Sequence, residues 1–246
     1  MGTIQTRYKM TISFTTVEQT TRQAGIKLLV YGKPKIGKTT LISTLPNPLI
    51  ISAERGLLSL RNLPTMVNVP VVEVHGMTEF NEVFKWCTES KEANKFDSFA
   101  FDSVTEIAEV CLIEEKAKTL AKAKGGKPNG FEPYSELNAQ MMHNFRQLRD
   151  TSNKHMLFIA QEEFDKDETS GMMQFRPVMP GRTLTREIAY VFDEVLQLVR
   201  FTTPEGKAYN GLRTVADSQN VAGDRSGKLD PWEPADISHI IKKIIG

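Results

Sequence analysis

Apolar residues along this chain alternate between two rhythms. Short, nearly continuous apolar runs occupy residues 26–31, 49–52, 69–74, 99–101, 155–160, 195–199 and 213–216. Such runs mark strands buried on both faces. Between them lie stripes at helical spacing. One carries Phe80, Val83, Phe84 and Cys87 behind Thr78, a capping residue, with Glu79 and Glu82 suited to the positive end of the helix dipole. A second holds Ile107, Val110, Ile113, Ala117, Leu120 and Ala121, and a third Leu137, Met141, Phe145 and Leu148. The last begins near Pro234, presents Ile237, Ile240, Ile241, Ile244 and Ile245, and ends on Lys242 and Lys243. All four stripes are expected to pack into the core. Strands alternating with helices predict an α/β fold, a mainly parallel sheet flanked by helices. Residues 1–24, rich in Thr and Gln and weakly periodic, read as an extended N-terminal arm ahead of one domain of residues 25–246. Two segments, 122–133 and 162–187, break the rhythm and read as long loops, which in a compact domain are often functional.

Charge and composition narrow the function classes. Lys+Arg is 31 and Asp+Glu is 30 in 246 residues, a net charge of +1. A globally basic polyanion binder is excluded, but a local basic patch is not. The two cysteines, Cys87 and Cys111, and the four histidines are scattered without metal-ligand spacing, which disfavours a zinc enzyme. No apolar run is long enough to span a bilayer and residues 1–13 lack the apolar stretch of a signal peptide, so a cytoplasmic protein without a membrane partner is expected.

Chemistry concentrates at Gly32-Lys33-Pro34-Lys35-Ile36-Gly37-Lys38-Thr39, a full GxxxxGK[ST] match directly after an apolar run and before Thr40-Leu41-Ile42, which can open a helix. Glycines let the backbone wrap a phosphate, with N–H groups facing the anion. Lys38 is expected to reach the β- and γ-phosphates of ATP, and the Thr39 hydroxyl to ligate Mg²⁺. Such a loop needs an acidic partner on a nearby strand to hold the metal. Asp102, closing the run Ser98-Phe99-Ala100-Phe101, supplies it at the carboxyl end of a strand. Glu54, after Leu49-Ile50-Ile51-Ser52-Ala53, reaches the same edge and is a candidate to activate water, or else a helix-capping or salt-bridging residue beside Arg55. Gln161, after Met156–Ala160, is an amide able to hydrogen-bond a γ-phosphate.

In that order, P-loop, strand-Glu, strand-Asp and strand-Gln before a long segment, the chain resembles the RecA-like ATPase core. Within it, "YGKPKIGKTTL", "IISAERGL", "FDSFAFDSVTE", "PGRTLTREIAYVFDEVLQL" and "DRSGKL" are similar to the small phage recombination ATPases of the Sak-type single-strand-annealing group, over residues 26–229. The resemblance implies a Mg²⁺- and ATP-dependent ATPase that forms homo-oligomeric rings or filaments and acts on single-stranded DNA in annealing or recombination. A single-strand-binding protein is an expected partner, and for a phage protein the compartment is the host cytoplasm. It implies that Glu54 activates water, that Gln161 senses the γ-phosphate, and that segments 122–133 and 162–187 contact DNA. It also implies that Arg225 and Lys228 reach a neighbour's ATP. Lys122, Lys124 and Lys127 with Phe131, and Phe175 with Arg176 and Arg182, combine cations and rings as single-strand sites do. A solvated helix end and a mobile loop explain the same residues. Phe14-Thr15-Thr16-Val17 resembles the Phe-x-x-Ala peptide by which eukaryotic relatives of RecA dock on the adjacent protomer, with Val17 in place of Ala.

Rival readings are weaker. Asn153-Lys154-His155-Met156 begins like a guanine-reading motif but has Met156 where Asp is required. A small-molecule kinase would need the 162–187 segment as a lid. An AAA+-like helicase loader or remodelling ATPase would call for an acidic pair after the apolar strand, where Asp102 is followed by Ser103, and for a helical lid domain. An ATP-gated DNA-binding scaffold with little turnover would need Lys38 and Thr39 but not Glu54.

Overall fold

The P-loop strand is the fold's axis. In the computed structural model, which describes residues 14, 16, 25–54, 56–123, 125–151, 153–167 and 170–246, β1 (Lys27–Gly32) is buried at all six positions. It carries apolar residues on both faces, Leu28 and Val30 on one and Leu29 and Tyr31 on the other, because helices cover both. β1 runs parallel to β5 (His155–Lys166) on one side and β7 (Glu194–Thr202) on the other. β5 continues through β4 (Ser98–Asp102) and β2 (Pro48–Ser52) to β3 (Val71–Glu73), all parallel. Beyond β7 the sheet turns antiparallel, through β8 (Ala208–Arg213) to β10 (Trp232–Pro234). β6 (Met173–Val178) folds back on β5 and β9 (Gly223–Asp224) on β7. The central sheet is therefore mixed but mainly parallel, as the apolar runs require. The strand bearing Asp102 is separated from the P-loop strand by β5.

Two apolar layers fill the faces. On one side α2 (Met77–Glu89), α3 (Val104–Lys122) and α4 (Glu132–Thr151) lie over a phenylalanine stack. Phe101 and Phe158 are parallel at 4.5 Å between centroids, with Phe145 edge-on to Phe158 at 5.5 Å and Phe192 tilted at 4.7 Å. Each such ring removes a large apolar area from water and adds an aromatic pair term of about 0.5–1.5 kcal/mol. On the other side Ile36, Leu41 and Ile42 pack with α1 (Leu58–Arg61) and with Ile237, Ile240 and Ile241 of α6 (Ile237–Ile245).

The structure departs from the sequence reading at several elements. The stripe read on α3 is not its buried face. Val104, Ile107, Ala108, Cys111 and Leu112 are buried, whereas Ile113 and Leu120 are 65 % and 64 % exposed. Wedged between α2 and α4, α3 buries the arc that also contains Glu115 and Thr119, and Lys118 neutralises Glu115 at 2.8 Å. Segment 162–187 is no loop. β5 runs on to Lys166, β6 returns in register (Glu163 opposite Arg176, Phe164 opposite Phe175), and α5 (Arg182–Glu187) follows. The hairpin's alternating polar residues hid it from an apolar-run reading. β8 lies at 208–213 rather than 213–216, and Pro234 stands in β10. Asp236 caps α6, accepting from the His239 amide at 3.1 Å. Thr78 lies inside α2 behind the N-cap Gly76 and donates from its hydroxyl to Glu114 at 2.6 Å. The segment after the P-loop is a six-residue 3-10 helix, Thr39–Thr44. The arm and its Phe14–Val17 peptide lie outside the described residues, save Phe14 and Thr16.

Two carboxyl groups join β9 to β7. Glu194, 1 % exposed, faces Asp224 in register and is pushed up to about 9, first by burial and then by the hydrogen bond and charge of Asp224. Burial also acts on Asp224, but hydrogen bonds from Ser226, the Leu229 amide, Glu194 and the Gly227 amide outweigh it and hold that carboxyl below its usual range. Glu194 thus keeps its proton in the fold at neutral pH and loses it in the unfolded chain above the usual carboxylate range. Its contribution to stability falls as pH rises from about 4.5 to about 9. Glu194→Gln keeps the donor and removes the titration. In urea melts from pH 5 to 9 the variant should show a flatter decline than the native chain, and an identical slope would contradict the shared proton.

Candidate functional site

The parallel register delivers the chemistry to one edge. Gly32 at the end of β1 pairs with Gln161 on β5, and Asp102 at the end of β4 pairs with Ser52 on β2 and Ile159 on β5. Glu54 follows two residues after Ser52, whose hydroxyl hydrogen-bonds the carbonyls of Asp102 (2.6 Å) and Glu54 (2.7 Å). These ends line one cleft of about 940 Å³ containing Pro34–Thr40, Glu54, Asp102, Ser103 and Gln161. A nucleoside triphosphate fits such a volume.

Inside it, Lys38 curls back over its own loop, donating to the carbonyls of Gly32 (2.7 Å) and Lys33 (2.9 Å). Burial lowers its pKa, opposed by the charges of Asp102, Glu162 and Glu54. Gly37 has φ +108°, a conformation that a side chain resists, and a Cβ on Gly32 would lie 2.8 Å from the Leu198 carbonyl. The loop's backbone is therefore shaped to approach an anion closely.

Asp102 is 4 % exposed and its carboxyl is pushed up to about 6. Burial is the chief cause. A hydrogen bond from Thr39 opposes it, Glu54 adds to it, and Lys38 opposes it. Thr39 and Asp102 are thus already in contact, a hydroxyl and a carboxylate of the hard-oxygen type that Mg²⁺ takes alongside waters and phosphate oxygens. No group of three or more His, Cys, Asp or Glu able to hold a metal exists among the described residues. Glu54 is an exposed carboxylate on the cleft wall. The backbone N–H of Gln161 donates to Thr105 Oγ1 at 3.0 Å, and that hydroxyl donates to the Val178 carbonyl at 2.8 Å, so Gln161 sits where β5, α3 and β6 are tied.

Three cleft-side residues escaped the sequence reading. Glu162 accepts from Gln197 Nε2 at 2.9 Å and raises the pKa of Lys38. Arg200 and Asn210 face the P-loop from the β7–β8 hairpin. Glu162 could have been suspected as the neighbour of Gln161. Arg200 and Asn210 reach the site only through strand pairing, which leaves no local signal.

The other sequence candidates lie elsewhere. Arg225 pairs with Asp193 at 2.9 Å and Lys228 donates to the Ile244 carbonyl at 2.6 Å. β9 adjoins the start of β7, at the sheet edge opposite the cleft. Between α3 and α4, Lys122 pairs with Glu132 at 3.2 Å, Lys127 is exposed, Phe131 is 86 % exposed, and Lys116 lies over the Tyr134 ring at 5.2 Å. Lys124 lies outside the described residues. Phe175 and Arg176 are not free loop residues. Phe175 packs on Phe164 at 4.4 Å, and Arg176, 17 % exposed, is bound by Glu163 (2.8 Å) and Asp165 (3.0 Å). Arg182 opens α5.

Because ionised Asp102 is buried, it opposes folding above its raised pKa when no metal is present. Its penalty grows from about pH 4 to about pH 6 and is full above that. Without Mg²⁺, Asp102→Asn should be more stable than the native chain at pH 7.5, by on the order of a few kcal/mol, and no more stable than it at pH 3. Destabilisation by D102N at pH 7.5 would contradict this electrostatic picture.

The chain shows likenesses to solved structures and to one protein family. Among curated proteins, none matches this chain. The flagellar accessory protein FlaH from Methanocaldococcus jannaschii is similar at 11% identity over 77% of each chain, TM-score 0.40. The RadB recombinase is similar at 17% over 77% of this chain and 80% of its own, TM-score 0.43. A KaiC-like protein from Pyrococcus horikoshii OT3 is similar at 12% over 81% and 84%, TM-score 0.43. Residues 24–226 match the AAA domain family. With a P-loop strand flanked by parallel strands, an acidic strand one removed and helices on both faces of a mainly parallel sheet, the chain belongs to that AAA domain family.

Proposed function

We propose that residues 25–246 form one ATPase domain that binds Mg·ATP, hydrolyses it slowly and acts on single-stranded DNA in annealing or recombination, as phage ATPases of the Sak type do. The observation that carries this reading is the gathering of Lys38, Thr39, Asp102, Glu54 and Gln161 in one cleft from four separate strands and the turns that follow them. In this reading Lys38 leaves its own carbonyls for the β- and γ-phosphates. The loop amides of residues 32–40 wrap the phosphate chain. Thr39 and Asp102 hold the Mg²⁺, which neutralises phosphate charge when bound. Glu54 orients and deprotonates water, and Gln161 hydrogen-bonds the γ-phosphate. Through Thr105 and Val178, Gln161 joins the β5–β6 hairpin, so phosphate contact and hairpin position share one hydrogen-bond chain.

For DNA the supporting observation is the α3–α4 junction. There Lys122 and Lys127 are exposed in the same junction as the bare ring of Phe131, and the sequence places Lys124 between them. Arg176, neutralised by two carboxylates, and the packed Phe175 give the β5–β6 hairpin a smaller part in this reading than the junction. Arg225 and Lys228, away from their own cleft, would reach ATP only in a neighbouring copy, which suits a ring or filament. A second reading, a helicase loader or remodelling ATPase, is favoured by the AAA domain match and by the neutralised hairpin.

Lys38→Ala should abolish ATP binding, and retained affinity in calorimetry would remove the P-loop assignment. Glu54→Gln should bind ATP normally and lose turnover by about 10²-fold or more, whereas normal turnover would place the base elsewhere. Lys122→Glu with Lys124→Glu should weaken binding to an unstructured oligonucleotide and reduce its salt slope by about 1–2. An unchanged slope would show that the junction does not touch DNA and would favour the remodelling reading.

A further inference from the structure

The cleft has two walls, and the motifs account for one of them. β1 stands between β5 and β7. On the β5 side lie Gln161, Asp102, Ser103 and Glu54, and on the β7 side Arg200 and Asn210, with Ala235 beyond. Arg200 and Asn210 are directly paired across the β7–β8 hairpin. Asn210 Nδ2 donates to the Ile36 carbonyl at 2.7 Å, and Arg200 Nε donates to Asn210 Oδ1 at 3.2 Å. The same Nδ2 lies 3.2 Å from where a Cβ on Gly37 would be. The tip of the P-loop is therefore fastened to a residue 174 positions away, and that residue in turn aims an arginine.

Arg200 is exposed to the cleft, and among the described residues only its Nε has a hydrogen-bond partner. Its charge is also separate from the carboxylate wall. Lys38 responds to Asp102, Glu162 and Glu54, and Asp102 to Glu54 and Lys38, whereas Arg200 stands on the opposite wall. A triphosphate whose γ end turns to Glu54, Asp102 and Gln161 leaves its α-phosphate and nucleoside to the rest of the cleft, whose lining there includes Ser43, Thr44, Arg200, Asn210 and Ala235 with Arg200 as its cation.

Resting on the nucleotide reading above, we propose that Arg200 is a nucleotide-binding residue that contacts the α/β-phosphate and nucleoside end of the ligand. Asn210 is its positioning residue, holding both the guanidinium and the P-loop tip. Arg200 then supplies affinity common to ATP and ADP, and the opposite wall distinguishes them.

The test is equilibrium binding of ATP and ADP to the full chain with Mg²⁺, for the native protein, Arg200→Ala, Arg200→Lys, Asn210→Ala and the double variant. R200A should weaken ATP and ADP by the same factor, about tenfold or more for a lost charge-assisted contact, leaving their ratio unchanged, and R200K should recover part of the loss. The double variant should lose less than the product of the single losses, since Asn210 acts partly through Arg200. R200A binding both nucleotides as the native chain does would overturn the inference, and so would a loss confined to ATP, which would put Arg200 at the γ-phosphate. A native chain that binds neither nucleotide would overturn the phosphate-site reading itself, and this inference with it.

Discussion

Everything at the cleft depends on keeping a buried cation and a buried carboxylate apart yet within one electrostatic field. Lys38 is desolvated, and only the Gly32 and Lys33 carbonyls with the nearby carboxylates keep it charged. Asp102 is desolvated more severely, and only Thr39 and Lys38 favour its ionised form. In the proposed function a phosphate chain with a divalent cation would satisfy both. The parallel sheet makes this possible, because its register ends β1, β2 and β4 beside Gln161 of β5 while helices and the phenylalanine stack pack the strands beneath.

That edge was legible in the sequence because it consists of local patterns: an apolar run followed at once by a polar residue. Glu54, Asp102 and Gln161 each follow such a run and line the cleft, and Gly32, which opens the P-loop, pairs with Gln161. What local pattern cannot carry was lost. Arg200 and Asn210 belong to the cleft through a bond of Asn210 to Ile36, across 174 residues. The β5–β6 hairpin alternates charged and aromatic residues with no continuous apolar run, so it looked like a loop. On α3 two apolar stripes coexist, and the choice between them is made by α2 and α4, which the helix itself does not encode.

The misread hairpin changes the functional picture as well as the topology. Its arginine is spent on Glu163 and Asp165 and its phenylalanine on packing, while Phe131 between α3 and α4 remains bare. No described helix is long and apolar enough to cross a membrane. The cleft and the α3–α4 junction are linked physically through α3, which starts beside Asp102 and Thr105 and ends at Lys122. A shift of that helix on nucleotide binding would be felt at both ends.

The most direct measurement is the steady-state ATP hydrolysis rate of the full chain with Mg²⁺, with and without a long unstructured oligonucleotide, at low and moderate salt. Coupling of the cleft to single strands predicts a slow basal rate that rises with the oligonucleotide and falls back as salt increases. Turnover that is indifferent to the oligonucleotide at every salt concentration would contradict it.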